Sequence, residues 1–205
     1  MRSDILDLSS NNALVDFEAA ALSGVQAVLH KATEGVGYVD PLCRIRCVQA
    51  KANGLRVGAY HYLRIRAGKP QDAKQQAIEY LSVWGKVDPD LLPCVDVETA
   101  LNEHSSPAEN CAAVTEFVSA IEDATGVSPI IYTSRGEWQS MGLSSLTSLA
   151  RCPLWLAAYG AHATAPGPWL SFVAWQWTGS GSCPGVIGPC DLSEAEDLGA
   201  LMMPM

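Results

Sequence analysis

Short runs rich in apolar and β-branched residues recur along this chain, each separated from the next by a stretch of helical period. That alternation restricts the fold more than any other feature, because it is the pattern of parallel βα units. The predicted strands are Ser3 to Asp7, Gln26 to Ala32, Leu55 to Tyr62, Leu92 to Val97, Pro129 to Thr133, Pro153 to Ala158 and Phe172 to Trp177, with a short eighth around Asp191. Gly24, Gly54, Gly85 and Gly126 each follow a helical segment, where a left-handed C-terminal cap is expected, and Pro70 and Pro107 suit first turns. Ser106-Pro107-Ala108-Glu109 has capping-box spacing and predicts a helix from Pro107 to about Thr125. After Thr133 the helical pattern breaks into turns, and Gly160 to Trp169 is too rich in Ala, Pro and Gly for a good helix. The count is therefore about eight strands and five helices. A regular (β/α)8 barrel usually takes about 250 residues, so a chain of 205 predicts an α/β fold that is either an irregular β/α barrel or a doubly wound sheet. No Pro/Gly/Ser-rich linker divides it, so a single domain is expected.

A net charge of −9 disfavours partners bound through phosphate neutralisation, so no nucleic acid is expected and a neutral or sugar-like ligand fits better. No apolar run approaches the eighteen or so residues of a membrane span, so no membrane insertion is expected either. Asp4 and Asp7 occupy the place where an export signal carries its apolar centre, which predicts synthesis in the cytoplasm without a signal peptide. The seven cysteines form no CxxC pair. Cys43 and Cys47 are one helical turn apart and suit a small apolar face. Cys183 and Cys190 bracket a loop that a disulfide would close, although a chain made without a signal meets a reducing compartment first.

The chemistry concentrates in Leu91-Leu92-Pro93-Cys94-Val95-Asp96-Val97-Glu98-Thr99. Two carboxylates arrive at the C-terminal end of an apolar strand at positions i and i+2. There they share a face with Cα atoms about 6.5 Å apart. In parallel β/α proteins those strand ends carry the active site. Paired carboxylates of separated pKa suit glycoside hydrolysis, one protonating the leaving oxygen and the other supporting positive charge on the sugar. A solvated loop pair or a metal site would also use such residues. Asp7 closes the first strand and Asp191 lies at the last; in a barrel these are neighbours, which would join all four acids in one cluster and raise at least one pKa. Tyr60, Tyr62, Tyr132, Trp155, Tyr159, Trp175 and Trp177 fall at or near strand ends, and flat rings with polar edges suit a saccharide. His30, His61, His104 and His162 are scattered singly and H-E-x-x-H is absent, so no metal and no cofactor are expected. There is no G-x-S-x-G elbow, Gly179 to Ser182 reading as a flexible turn, and no nucleotide-binding glycine loop.

Taken in order, Asp7-Leu8-Ser9, Lys31-Ala32-Thr33-Glu34-Gly35, Val57-Gly58-Ala59-Tyr60-His61-Tyr62, Asp96-Val97-Glu98, Ile131-Tyr132-Thr133, Trp175-Gln176-Trp177 and Asp191 resemble glycoside hydrolase family 25, the Chalaropsis-type lysozymes common among phage endolysins. The resemblance runs from about Ile5 to Leu198. It implies a flattened barrel of eight strands and five helices and N-acetylmuramidase action on the β-1,4 bond between N-acetylmuramic acid and N-acetylglucosamine of bacterial peptidoglycan, with net retention. It further implies Glu98 as general acid/base, Asp96 as stabiliser of the cationic centre, Asp7 and Asp191 as supporting acids, and Tyr60, Tyr62, Tyr132 and Gln176 as substrate contacts. A monomer without an appended wall-binding domain, released to the wall by a holin, is the corresponding expectation. A sugar-binding module that has kept the barrel and lost catalysis is the rival reading, which retention of all four acids disfavours. One departure is visible: the family's first motif usually continues to an aromatic residue, whereas Ser10-Asn11-Asn12 follows here.

Overall fold

The computed structural model describes residues 2–13, 15–100, 104–160 and 162–204. In chain order the strands are β1 (Ile5–Leu8), β2 (Ala27–Glu34), β3 (Tyr38–Val39), β4 (Arg56–Tyr62), β5 (Cys94–Asp96), β6 (Ile130–Ser134), β7 (Leu154–Ala157), β8 (Ala174–Gly181) and β9 (Cys190–Ala195). The helices are α1 (Phe17–Leu22), α2 (Cys43–Ala52), α3 (Asp72–Trp84), α4 (Pro107–Thr125) and α5 (Arg135–Ser140).

Eight strands close into a barrel in the order β1, β2, β4, β5, β6, β7, β8, β9 and back to β1, while β3 forms a hairpin on the outer end of β2. The pairings from β1 through β8 are parallel, but β9 runs antiparallel to both β8 and β1. The barrel is the irregular one expected rather than a doubly wound sheet. The antiparallel β9 departs from an all-parallel reading: β8 and β9 form a hairpin, so the final crossover helix is dispensed with. The segment Gly179 to Ser182, expected as a turn, mostly belongs to the extended end of β8.

Side chains alternate across each strand. Ile5, Leu29, Cys94, Ile130, Trp155 and Ala174 pack inside the barrel, and Leu6, Val28, Val57, Val95, Ile131 and Leu156 face outward beneath the helices. Gly58 is on the inner face because a Cβ there would lie 2.8 Å from Leu91 Cβ and 3.0 Å from Leu29 Cδ2.

The longest helix, α4, follows the sequence pattern closely. Ser106 accepts from the Glu109 amide while Glu109 accepts from the Ser106 amide, Pro107 opens the helix, and Gly126 ends it at φ 73°. Its buried stripe of Asn110, Ala113, Val114, Phe117, Val118 and Ile121 covers the outer face of the barrel. Gly24 and Gly54 are also left-handed, but Gly85 is not: α3 runs on into a 3-10 turn, and the left-handed residue is Asp88. Pro70 lies just ahead of the N-cap Gln71, outside the first turn of α3. No helix forms in the described part of Gly160 to Trp169, of which Ala161 lies outside the described residues. Cys43 and Cys47 are buried on one face of α2 as expected. Cys183 and Cys190 form no disulfide and, among the described residues, all seven cysteines are free thiols. No helix of the described residues is long and apolar enough to cross a membrane.

Candidate active site at the barrel mouth

Inner-face parity decides which strand-end residues meet. Ile5 and Asp7 share a face of β1, Leu29 and Lys31 a face of β2, and Gly58, Tyr60 and Tyr62 a face of β4. The same alternation places Asp96 inside on β5, Tyr132 on β6 and Gln176 on β8, with Glu98 and Tyr159 continuing the inner rows just beyond β5 and β7. Asp7 and Asp191 are register partners across β1 and β9. Because β9 is antiparallel, its first residues lie level with the last residues of the other strands. That is how Asp191 reaches the mouth.

The eight residues singled out from the sequence are all brought together here. Tyr60 donates a hydrogen bond to Asp7. Gln176 donates through Nε2 to Asp7 Oδ2 at 3.3 Å, and its Oε1 accepts from Tyr132 at 2.8 Å and Tyr159 at 2.9 Å. Tyr132 also lies within hydrogen-bonding reach of Glu98. A hydroxyl has one proton: with Glu98 protonated, Tyr132 can receive from it while donating to Gln176, and with Glu98 ionised the two acceptors compete. Tyr62 donates to the carbonyl of Ala100 beyond Glu98.

Every acid of the cluster is held above its ordinary range. Asp96 is raised by burial, then by the charges of Glu98 and Asp7, with Lys31 opposing. Asp7 is raised by burial and by Asp191, against its bond from Tyr60. Glu98, partly open to solvent, is raised by burial, Glu137 and Asp191, while Tyr132 and Lys31 oppose. Burial lifts Asp191 to about 6. The buried Oδ1 of Asp96 has no hydrogen-bond partner among the described residues. Together these shifts disfavour ionising all four acids at once, so the mouth favours retaining a proton for transfer.

The expected gathering of aromatics is only partly realised. Tyr60, Tyr62, Tyr132 and Tyr159 line the mouth. Trp155 is an inner residue buried below it, donating to Ser193 Oγ at 2.9 Å. Trp175 pairs in register with the outward Leu156, and Trp177 packs with the outer core and donates to the Arg2 carbonyl at 3.0 Å; neither lines the site. His61 likewise faces outward, between Thr33 and Gln76, and burial lowers its pKa to about 4.

Three functional neighbours were not singled out from the sequence. Tyr159 appeared only among the aromatics. Lys31 is a lone cation at an inner position of an apolar strand, and that parity was a readable signal. Glu137, near the start of α5, accepts from the Thr99 amide at 2.7 Å and so fixes the backbone next to Glu98; nothing local in the sequence marks it. Among the described residues, no three His, Cys, Asp or Glu side chains are arranged to hold a metal ion.

The family model for glycosyl hydrolases family 25 matches residues 6–186 of this chain. An autolytic lysozyme of Clostridium acetobutylicum is 32% identical over 92% of this chain, which spans only 54% of that protein. An N,O-diacetylmuramidase of Chalaropsis is 30% identical, over 83% of this chain and 85% of its own length. The solved structure of a muramidase from Trichobolus zukalii is 27% identical and superposes with a TM-score of 0.80, over 93% of this chain and 92% of that one. The chain belongs to glycosyl hydrolases family 25.

Proposed function

We propose that this protein is a peptidoglycan hydrolase, an N-acetylmuramidase that cleaves the β-1,4 bond between N-acetylmuramic acid and N-acetylglucosamine with net retention. The observation that carries the reading is the meeting of Glu98, Asp96, Asp7 and Asp191 at one mouth, with every one of them raised in pKa. The muramidase names borne by relatives on the same fold support it.

Glu98 is the general acid and later the general base. Just beyond β5 it is more open than Asp96, and burial together with the charges of Glu137 and Asp191 strengthens its hold on a proton. Asp96 acts by charge and orientation. With the proton on Glu98 and the charge on Asp96, Glu98 passes its proton to the leaving glycosidic oxygen as the bond breaks and positive charge develops at the anomeric carbon facing Asp96. The unpartnered Oδ1 of Asp96 suits an N–H donor, and the substrate's acetamido group supplies one. Held in this way, the acetamido oxygen serves as nucleophile through an oxazolinium-like intermediate, and water restores the original anomeric configuration. Asp7 and Asp191 maintain the proton supply, while Tyr60 and Gln176 fix the geometry of Asp7 and Tyr132 holds Gln176.

The test is digestion of purified peptidoglycan, borohydride reduction and mass spectrometry of the new ends. Reduced muramic acid is expected; reduced glucosamine or free peptides would refute the reading. Glu98→Gln keeps shape and hydrogen bonding without the acid, and should lower turnover by at least about 10²-fold.

A further inference from the structure

Next to the acid mouth lies a second cavity, of about 470 Å³, whose charge has the opposite sign. Lys31, Arg64 and Arg66 line it with a single carboxylate, Glu34, in a chain whose net charge is −9. Its walls continue those of the mouth: Ser9 and Ser10 follow directly from the Asp7 strand, Arg64 lies two residues past Tyr62, and Lys31 Nζ stands 4.9 Å over the Tyr62 ring. Tyr38, on the β2–β3 hairpin and 43% exposed, places its hydroxyl 3.4 Å from Ser10 Oγ across the cavity rim.

The pocket is built rather than incidental. Buried Arg46 donates to the carbonyls of Ser9 and Asn12, each at 2.7 Å, and buried Asp40 accepts from the Ser10 amide at 2.8 Å, so the loop wall is held from beneath. Glu34 pairs with Lys31 and, at 3.4 Å, with Arg64 Nε, while Asp72 pairs with Arg66. These pairs hold the cations in place and leave the lining with an excess of positive charge. Guanidinium groups so arranged recognise a planar anion through paired N–H donors.

We propose that this pocket is a subsite for a carboxylate of the peptidoglycan stem peptide, with Arg64 and Arg66 as its specificity-determining residues. The inference rests on the reading of the acid mouth as the glycan-cleaving centre. A strand lying across that mouth continues over the pocket, and the group it offers there is the peptide of a neighbouring muramic acid. Tyr38 gives the sugar a ring to lie on, and the arginines meet the peptide's carboxylate. The pocket therefore favours peptide-bearing strands over bare glycan.

The experiment uses wall peptidoglycan freed of teichoic polymers, half of it with the stem carboxylates converted to neutral amides, and a third sample that keeps its teichoic phosphates. Amidation should raise KM of the wild-type protein by at least about tenfold, the scale of one charge-assisted hydrogen bond, with kcat little changed. Arg66→Gln, an exposed position whose replacement should fold, and Arg64→Lys, which keeps the charge and loses the fork, should raise KM similarly on the unmodified wall. Neither should add to the effect of amidation. Equal responses of the variants on both walls, or no response, would overturn the subsite, and a response confined to the teichoic-bearing wall would reassign the anion as phosphate. Calorimetric binding of a soluble disaccharide-peptide and its amidated form to the same three proteins separates the two readings. If the protein cleaves no wall but still prefers the acidic muropeptide through Arg66, the subsite stands and the cleavage reading falls; if it cleaves without that preference, the reverse holds.

Discussion

Replacing Asp191 with Asn should make the protein more stable at neutral pH and a poorer catalyst. Burial lifts the Asp191 carboxyl from its ordinary 3.8 to about 6. At about 1.4 kcal/mol for each tenfold change in proton affinity, the native state is penalised by about 3 kcal/mol when this group ionises. Asp191 is partly open to solvent, and screening reduces that to about 1–2 kcal/mol. Between pH 4 and 6 the native state holds the proton more tightly than the unfolded chain does. Stability therefore falls as pH rises through this window: the penalty is absent below about 4 and complete above about 6. Asp191→Asn removes it, so at pH 7.5 the variant should melt about 2 to 8 °C higher than wild type, and at pH 4 the two should melt together. Because the Asp191 charge also raises Asp7 and Glu98, its loss should let Glu98 release its proton earlier and move the alkaline limb of the kcat/KM profile to lower pH. Calorimetry across pH 4 to 8 with wall-clearing rates on the same samples would check both. An unchanged or lower Tm at pH 7.5, or a difference equal at both ends of the range, would refute the reasoning.

Other outcomes follow from the same geometry. Glu137→Gln can still accept from the Thr99 amide but lacks the charge that raises Glu98, so the alkaline limb should shift to lower pH with the fold intact; a pH–rate profile reads this directly. Gly58→Ala drives a Cβ against Leu91 and Leu29 inside the barrel and should destabilise by about 1–3 kcal/mol in urea denaturation. Tyr80→Phe removes the hydroxyl that donates to the Ala59 carbonyl at 2.7 Å and accepts from the Cys94 amide at 2.8 Å, leaving both buried groups unmatched at about 1–3 kcal/mol, again measurable in urea. Proton NMR of a fresh digest should show the β anomer first, and α product would contradict retention.

Period-two alternation made much of this legible. Asp96 and Glu98 share a face by spacing alone, and closure of a barrel implies that Asp7 and Asp191 meet even though neither local sequence mentions the other. The capping box of α4 was readable because both halves of it are local. What stayed hidden depends on direction or on distant partners. Trp175 and Trp177 looked like site residues until parity with Gln176 turned them outward. The antiparallel sense of β9 has no compositional mark, since a short strand of either sense reads alike. Glu137 and the Lys31, Arg64 and Arg66 pocket draw on segments far apart in the chain, each unremarkable by itself. The β2–β3 hairpin that carries Tyr38 is two residues long on its second strand, below what periodicity detects.

Closing the barrel with β9 ties the site to the order in which the chain emerges. β1 pairs with β2 on one side and β9 on the other, so its second edge stays open until the last strand is made. Contacts of that sequence separation carry a large loop-closure cost and slow folding. Until then Asp7 lacks its register partner Asp191, and Glu98 lacks one of the charges that hold its proton. Without β9, Asp96 and Glu98 still share a face of the chain, but the four-acid cluster is incomplete. The four-acid cluster is thus completed by the pairing of the first strand to the last.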